Sequence, residues 1–98
     1  MTIVKNKVDT DLTLKVEGRL DTTTAPELEA VVKAELDGIK NLTMDLVSLE
    51  YISSAGLRVL LAAQKIMSKQ GAMVVKNAND DVKEIFEVTG FTDILTIE

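Results

Sequence analysis

The segment from Asp45 to Leu61 constrains the fold of this 98-residue chain more than any other. An apolar strand pattern ends at its acidic first residue, and a short turn follows. Then Ser53, Ser54 and Gly56 stand where a second apolar pattern, with helical spacing, begins. Serine oxygens readily accept hydrogen bonds from the free N–H groups of a helix's first turn. The segment therefore predicts a strand that leads through a turn into a helix, with two hydroxyls at the positive end of the helix dipole.

The composition predicts a globular domain that lacks the usual catalytic side chains. Hydrophobic residues make up 46% of the chain and charged residues 28%, enough for one core. Cysteine and histidine are absent, which removes a thiol nucleophile, the commonest general base and the commonest zinc ligands. The net charge of −5, without a basic cluster, argues against a nucleic-acid partner and favours a basic protein partner. We therefore expect no enzyme activity, no cofactor, no metal and no small-molecule substrate.

The chain shows no sign of division or of membrane targeting. Residues Met1 to Lys5 lack the apolar core of a signal peptide, and no apolar run is long enough to span a bilayer. No linker, repeat or low-complexity stretch interrupts the pattern. We expect one domain over residues 1–98, a cytoplasmic location and no membrane contact.

Hydrophobic spacing predicts the element order β-β-α-β-α-β-α-β. This order is typical of a small α/β domain with a mixed β-sheet and helices packed on it. Thr24 and Glu27 form a capping-box pattern before the first helix. The predicted strands are Ile3–Val8, Leu12–Val16, Leu42–Leu46, Ala72–Val75 and Ile94–Ile97, and the predicted helices run from Pro26 to near Gly38, from Ala55 to about Lys69, and from Asp80 to near Thr89.

The second predicted helix is apolar almost all round. Such a helix is usually covered on more than one side. One interpretation is that a partner protein covers its second face; the other is that alanines dilute that face enough to leave it exposed. The two faces comprise Leu57, Leu60, Leu61 and Met67 on one side, and Val59, Ala62, Ala63 and Ile66 on the other.

Several local patterns resemble the STAS domain, a family named for sulfate transporters and anti-sigma factor antagonists. The matching pieces are Gly18–Asp21 before the Pro26 helix, the strand Leu42–Leu46, the corner Tyr51–Leu57 and the tail Val88–Phe91. Because the resemblance covers essentially the whole chain, it points to the small free-standing bacterial members. It implies an anti-sigma factor antagonist that binds an anti-sigma factor of the serine kinase type and so releases a sigma factor. It also implies a phosphatase that resets the switch.

The resemblance implies a phosphorylation site at the corner. Family antagonists usually read Asp-Ser-Ser-Gly or Asp-Ser-Thr-Gly there, and the hydroxyl just before the glycine accepts the phosphate. This chain has Ala55 at that position, so Ser54 is the first candidate and Ser53 the second. The implied partner-binding surface comprises Asp21, Asp45, Ser53, Ser54, Ala55, Gly56, Leu57 and Arg58.

Each of these residues also has a simpler interpretation. The two serines could only cap the helix, and the two aspartates could only form turns. Gly56 could allow close packing against the Asp45–Leu49 segment, and Arg58 could be merely solvated. The alternative function is therefore a STAS interaction module that is not phosphorylated, in a transport complex or a signalling assembly.

Overall fold

The computed structural model describes all 98 residues and opens with two antiparallel strands, β1 (Thr2–Val8) and β2 (Asp11–Leu20). In β2, Leu12, Leu14 and Val16 are buried and alternate with half-buried residues. This period of two places the apolar face of β2 in the core, as predicted. Val8 pairs with Asp11, so the connection is a two-residue hairpin in which Asp9 has a positive φ of 54°.

After β2 every strand pairing is parallel. The elements that follow are α1 (Ala25–Glu35), β3 (Asn41–Asp45), β4 (Leu49–Ile52), α2 (Ser54–Ser68), β5 (Ala72–Lys76), α3 (Asp80–Val88) and a 3₁₀ turn (Phe91–Asp93). The sheet order is β1-β2-β3-β5, and β4 also pairs with β2. β2 is long enough to hold β3 along its first half, Asp11–Lys15, and β4 along its last residues, Gly18–Leu20. This confirms the predicted α/β class with a mixed sheet.

A single apolar core joins the sheet and the helices. It contains 25 of the 26 buried residues, and no polar or charged side chain is buried. α2 packs against β5, β4 and α1, and none of its large apolar side chains is among the exposed ones. The domain therefore covers most of this helix by itself, while Leu61, Ala62 and Ile66 remain half-buried, so whether a partner covers this remainder stays a prediction. No helix in the fold combines the length and apolar character needed to cross a membrane.

Two predicted strand assignments differ from the structure. The turn before the second helix contains a further strand, β4, whose buried residues Leu49 and Ile52 are three positions apart rather than two. A register shift in β2 beside Gly18 accompanies this spacing, so the period-two test fails there. The last predicted strand is reduced to one bridge between Val75 and Ile97. The 3₁₀ turn ends at Asp93, just before this segment, and Leu95 is buried within it without forming a strand.

The predicted capping box at the start of α1 is also absent. Thr24 is the N-cap residue but has a helical backbone, with φ −100° and ψ −22°, and its side chain accepts no bond from the helix. A side-chain cap normally needs an extended backbone at this position. The Thr24 hydroxyl donates to the carbonyl of Arg19 at 2.8 Å and accepts from the Asp21 N–H at 2.9 Å.

Candidate functional site

The strand-to-helix connection between β4 and α2 forms a corner, Ser53–Gly56, which we call the serine corner. The Ser53 N–H donates to the Leu20 carbonyl at 2.9 Å, which continues the contact between β2 and β4. Ser53 is extended, with φ −99° and ψ 176°, and its Oγ accepts from the Gly56 N–H at 3.4 Å. Ser53 is therefore the N-cap of α2, and its half-buried hydroxyl already has a structural role.

Ser54 is the first residue of α2 and is exposed. Its hydroxyl makes no hydrogen bond, and neither its backbone N–H nor that of Ala55 has an acceptor within the protein. No acidic residue lies in the first turn of α2. An exposed hydroxyl therefore lies beside free N–H donors at the positive end of a helix, a setting that favours an added anion.

Gly56 and Leu57 face the protein interior. An added Cβ on Gly56 would lie 2.7 Å from Leu20 Cγ and 2.9 Å from Ile52 Cγ1. Glycine at this position lets the first turn of α2 rest directly on the ends of β2 and β4, rather than on the Asp45–Leu49 segment. Because Gly56 and Leu57 are both buried, the structure does not support their predicted place in a partner-binding surface.

Asp21 lies next to the serine corner because it follows Leu20, which pairs with Ile52 just before Ser53. Its Oδ1 accepts from the Thr23 hydroxyl at 2.7 Å and from the Thr23 N–H at 3.0 Å. These bonds hold the turn before α1. The hydrogen bond from the Thr23 side chain, supported by backbone donors, lowers the pKa of Asp21 below its usual 3.8.

Asp45 is not brought to the serine corner. It ends β3, and its Oδ1 accepts from the Val47 N–H at 3.1 Å and from the Asn77 side chain at 3.0 Å. The carboxylate thus forms the turn after β3 and ties it to the segment after β5. Asp45 pairs with Lys15 of β2, whereas Ile52, just before Ser53, pairs with Leu20, five residues further along that strand. At about 3.3 Å per residue this separates the two sites along the sheet, so the predicted grouping of Asp45 with the corner is not supported.

Arg58 is exposed on α2, four residues after Ser54. Residues with this spacing are neighbours on one face of a helix. Arg58 makes no ion pair and lines a small cleft between the starts of α1 and α2, with a volume of about 190 Å³. The corner therefore presents a hydroxyl, the exposed part of Ala55 and an unpaired cation together.

Sequence reasoning missed a larger cavity, the β4–α3 groove, of about 530 Å³. The sequence signal for this cavity was that the helix α3 has apolar residues along one side and acidic residues along another. The groove is lined by Glu50, Tyr51, Asp81, Val82, Glu84, Ile85, Val88 and Thr89. No group of three or more His, Cys, Asp or Glu side chains is arranged to hold a metal ion anywhere in the chain.

Comparison with known proteins matches both the sequence and the fold. A family model described as the STAS domain matches residues 2–98. A Bordetella bronchiseptica protein, BtrV, named as a candidate anti-sigma factor antagonist, is 37% identical over 99% of this chain and 85% of its own length. The crystal structure of an anti-sigma factor antagonist from Mycobacterium paratuberculosis has a TM-score of 0.88 and 26% identity, over 98% of this chain and 83% of that one.

A third similar protein is known in two chemical forms. SpoIIAA, an anti-sigma factor antagonist, has been solved unphosphorylated and, from Bacillus, phosphorylated. Both structures match with a TM-score of 0.77 and 12% identity over 99% of this chain, and they cover 87% and 91% of the respective SpoIIAA chains. At this identity the likeness concerns the fold alone.

Proposed function

The chain belongs to the STAS domain family, and on that premise we propose an anti-sigma factor antagonist that is controlled by phosphorylation at Ser54. Its homologues and structural neighbours are anti-sigma factor antagonists. The observation that carries the proposed site is the exposed, unbonded hydroxyl of Ser54 beside free backbone N–H groups.

The proposed cycle has two states. Without phosphate, the serine corner docks on an anti-sigma factor of the serine kinase type, which then releases its sigma factor. Phosphorylation of Ser54 adds a charge of about −1.5 to −2 to a surface that binds its partner when the Ser54 hydroxyl is neutral. Desolvating that charge in the interface is unfavourable, so the complex dissociates. A phosphatase removes the phosphate and restores binding.

Ser54 is favoured over Ser53 as the modified residue because the two hydroxyls are used differently. The Ser53 hydroxyl caps α2 and is half-buried, whereas the Ser54 hydroxyl is exposed and unbonded. Phosphorylation of Ser53 would replace an existing cap. Phosphorylation of Ser54 would leave that cap in place and add an anion beside the free N–H groups.

Arg58 fits this cycle as a contact that changes between the two states. It is unpaired and lies one helical turn after Ser54. In the unphosphorylated state it would meet a carboxylate of the partner. A phosphate on Ser54 would compete for the same guanidinium, because arginine binds phosphate in a bidentate manner.

Ala55 favours a second candidate function. The position just before the glycine, where family antagonists usually carry the modified hydroxyl, holds an alanine here. The corner could then act as a permanent interaction surface, in a transport complex or a signalling assembly. In either function we propose a binding protein without catalytic activity and a cytoplasmic location, because the partners implied by the family act there.

Mass spectrometry tests the proposal directly. The full chain would first capture its anti-sigma factor from native lysate, and the purified pair would then be incubated with ATP. We expect one phosphate on Ser54 that is retained in Ser53→Ala and lost in Ser54→Ala. Absence of phosphate from both serines, with the captured kinase active on another substrate, would remove the switch and leave the permanent interaction module.

A further inference from the structure

The β4–α3 groove has the features of a docking site, and its residues are separate from the serine corner. One wall is the exposed side of β4, with Glu50 and Tyr51, and the other is α3, from Asp81 to Thr89. Asn79 connects the two walls, because its side-chain oxygen accepts from the Val82 N–H at 2.8 Å and its amide donates to the Leu49 carbonyl at 3.0 Å. The groove is therefore pre-formed, so a ligand would not have to order it.

The apolar lining of the groove is unusually exposed. Val88 has 79% of its surface accessible, more than any other large apolar residue in the chain, and Tyr51 has 37%. Ile85, also in the lining, is half-buried. Exposed apolar groups that share one concave surface are typical of an interaction site, whereas isolated ones are ordinary.

The rim of the groove is acidic, and its carboxylates form no ion pair within the protein. The five ion pairs of the structure use Glu17, Asp21, Glu29, Glu35 and Glu98. The three rim carboxylates, on Glu50, Asp81 and Glu84, are in none of them. Two cations lie nearby: Arg19, whose guanidinium lies 4.5 Å from the centre of the Tyr51 ring, pairs with Asp21. Lys83 is exposed on α3 between Val82 and Glu84 and is in none of the ion pairs.

We propose that the β4–α3 groove binds a basic, amphipathic segment of a partner protein. Large apolar side chains of that segment would cover Tyr51, Ile85 and Val88, and its lysines or arginines would pair with the carboxylates of the rim. A second copy of this chain is disfavoured as the occupant, because each copy carries a net charge of −5. Binding here does not depend on Ser54 or on its phosphorylation.

A synthetic peptide provides the test. The probe is an amidated 14-residue helix of leucine and lysine with its leucines on one face; the control peptide has glutamate in place of every lysine. Binding to the full chain is followed by NMR amide shifts and by fluorescence anisotropy. We expect saturable binding of the basic peptide alone, with the largest shifts at Tyr51, Ile85 and Val88. Dispersed shifts, or equal binding of the acidic peptide, would overturn the proposal.

Matched variants separate the groove from the general acidity of the protein. Glu50→Gln/Glu84→Gln should weaken binding of the basic peptide at least fivefold, because two rim carboxylates are lost. The control Glu27→Gln/Asp37→Asn removes two exposed carboxylates that line no cavity and should change binding less than twofold. Equal weakening by both variants would show that peptide binding depends only on the net charge of the protein, and this would overturn the proposal.

The apolar contact has its own pair of variants. Val88→Ser should weaken peptide binding severalfold, and Val8→Ser, at an exposed valine of β1, should not. Ser54→Asp should leave peptide binding unchanged. Failure of the proposed switch at Ser54 can therefore be distinguished from failure of the proposed peptide binding at the groove. No effect of Val88→Ser in a folded variant would rule out the groove as the binding site.

Discussion

Gly56→Ala tests how closely α2 approaches the sheet at the serine corner. The new Cβ would lie 2.7 Å from Leu20 Cγ, 2.9 Å from Ile52 Cγ1 and 3.0 Å from Leu20 Cδ2. Leu20 and Ile52 are 0% and 1% exposed, so neither side chain can move into solvent. The helix start must therefore move away from the strand ends, or the two side chains must leave their preferred rotamers.

Two opposing effects set the magnitude. Alanine in a helix is more stable than glycine by about 0.5–1 kcal/mol. Adding a methyl group to a filled core usually costs about 1–3 kcal/mol. We expect a net loss of about 1 kcal/mol in the free energy of unfolding, which lowers Tm by about 4 °C or more in a domain of this size.

Urea denaturation followed by circular dichroism measures this loss, and a double-mutant cycle assigns its cause. Leu20→Ala removes two of the three clashing atoms, so Gly56→Ala should be neutral or stabilising in that background. If Gly56→Ala stabilises the chain that retains Leu20, or if the Leu20→Ala background leaves its cost unchanged, the close-approach explanation is refuted.

Three further predictions concern the charges and hydroxyls of the corner. Ser54→Asp should weaken binding to the captured anti-sigma factor roughly tenfold or more, measured by calorimetry. Ser54→Ala and the control Ser48→Asp should leave binding unchanged. Equal loss of binding from the two Ser54 variants would mean that the hydroxyl itself is the contact. Ser53→Ala should cost about 0.5–2 kcal/mol in urea denaturation through the lost cap, and Ser54→Ala much less; the reverse order would assign the cap to Ser54. Asp21→Asn should destabilise the protein at pH 7. Because the pKa of Asp21 is lowered in the folded state, the advantage of its carboxylate is present above the unfolded value of about 3.8 and lost as pH falls through the folded value. The unfolding free energies of the two proteins should therefore converge at low pH, and a constant difference would show that the charge is not responsible.

Local patterns in the sequence determined much of this fold. The alternation of Leu12, Leu14 and Val16 predicted β2, and it needs only neighbouring residues because strand side chains alternate between two faces. The start of α2 was predictable for the same reason. A serine N-cap depends on the hydrogen bond between one side chain and an N–H three residues later. The resemblance to the STAS family rested on such local segments together.

Other features depended on contacts between distant segments. β4 can form because β2 extends beyond its pairing with β3 and there pairs with a second parallel strand. A register shift between β2 and β4 accompanies the three-residue spacing of the buried residues in β4, so their pattern does not have a period of two. The predicted strand after the 3₁₀ turn is one bridge to Val75, so strand propensity at Ile94–Ile97 did not decide the outcome.

The same distinction applies to the candidate site. The sequence indicated both serines, but only the structure separates a capping hydroxyl from a free one, because exposure depends on where Leu20 and Ile52 lie beneath the corner. The burial of Gly56 against Leu20 and Ile52 is likewise set by packing between distant segments, and so is the link that Asn79 makes between the walls of the β4–α3 groove. Sequence spacing reports the faces of a helix or strand, but the tertiary structure decides which of those faces meet.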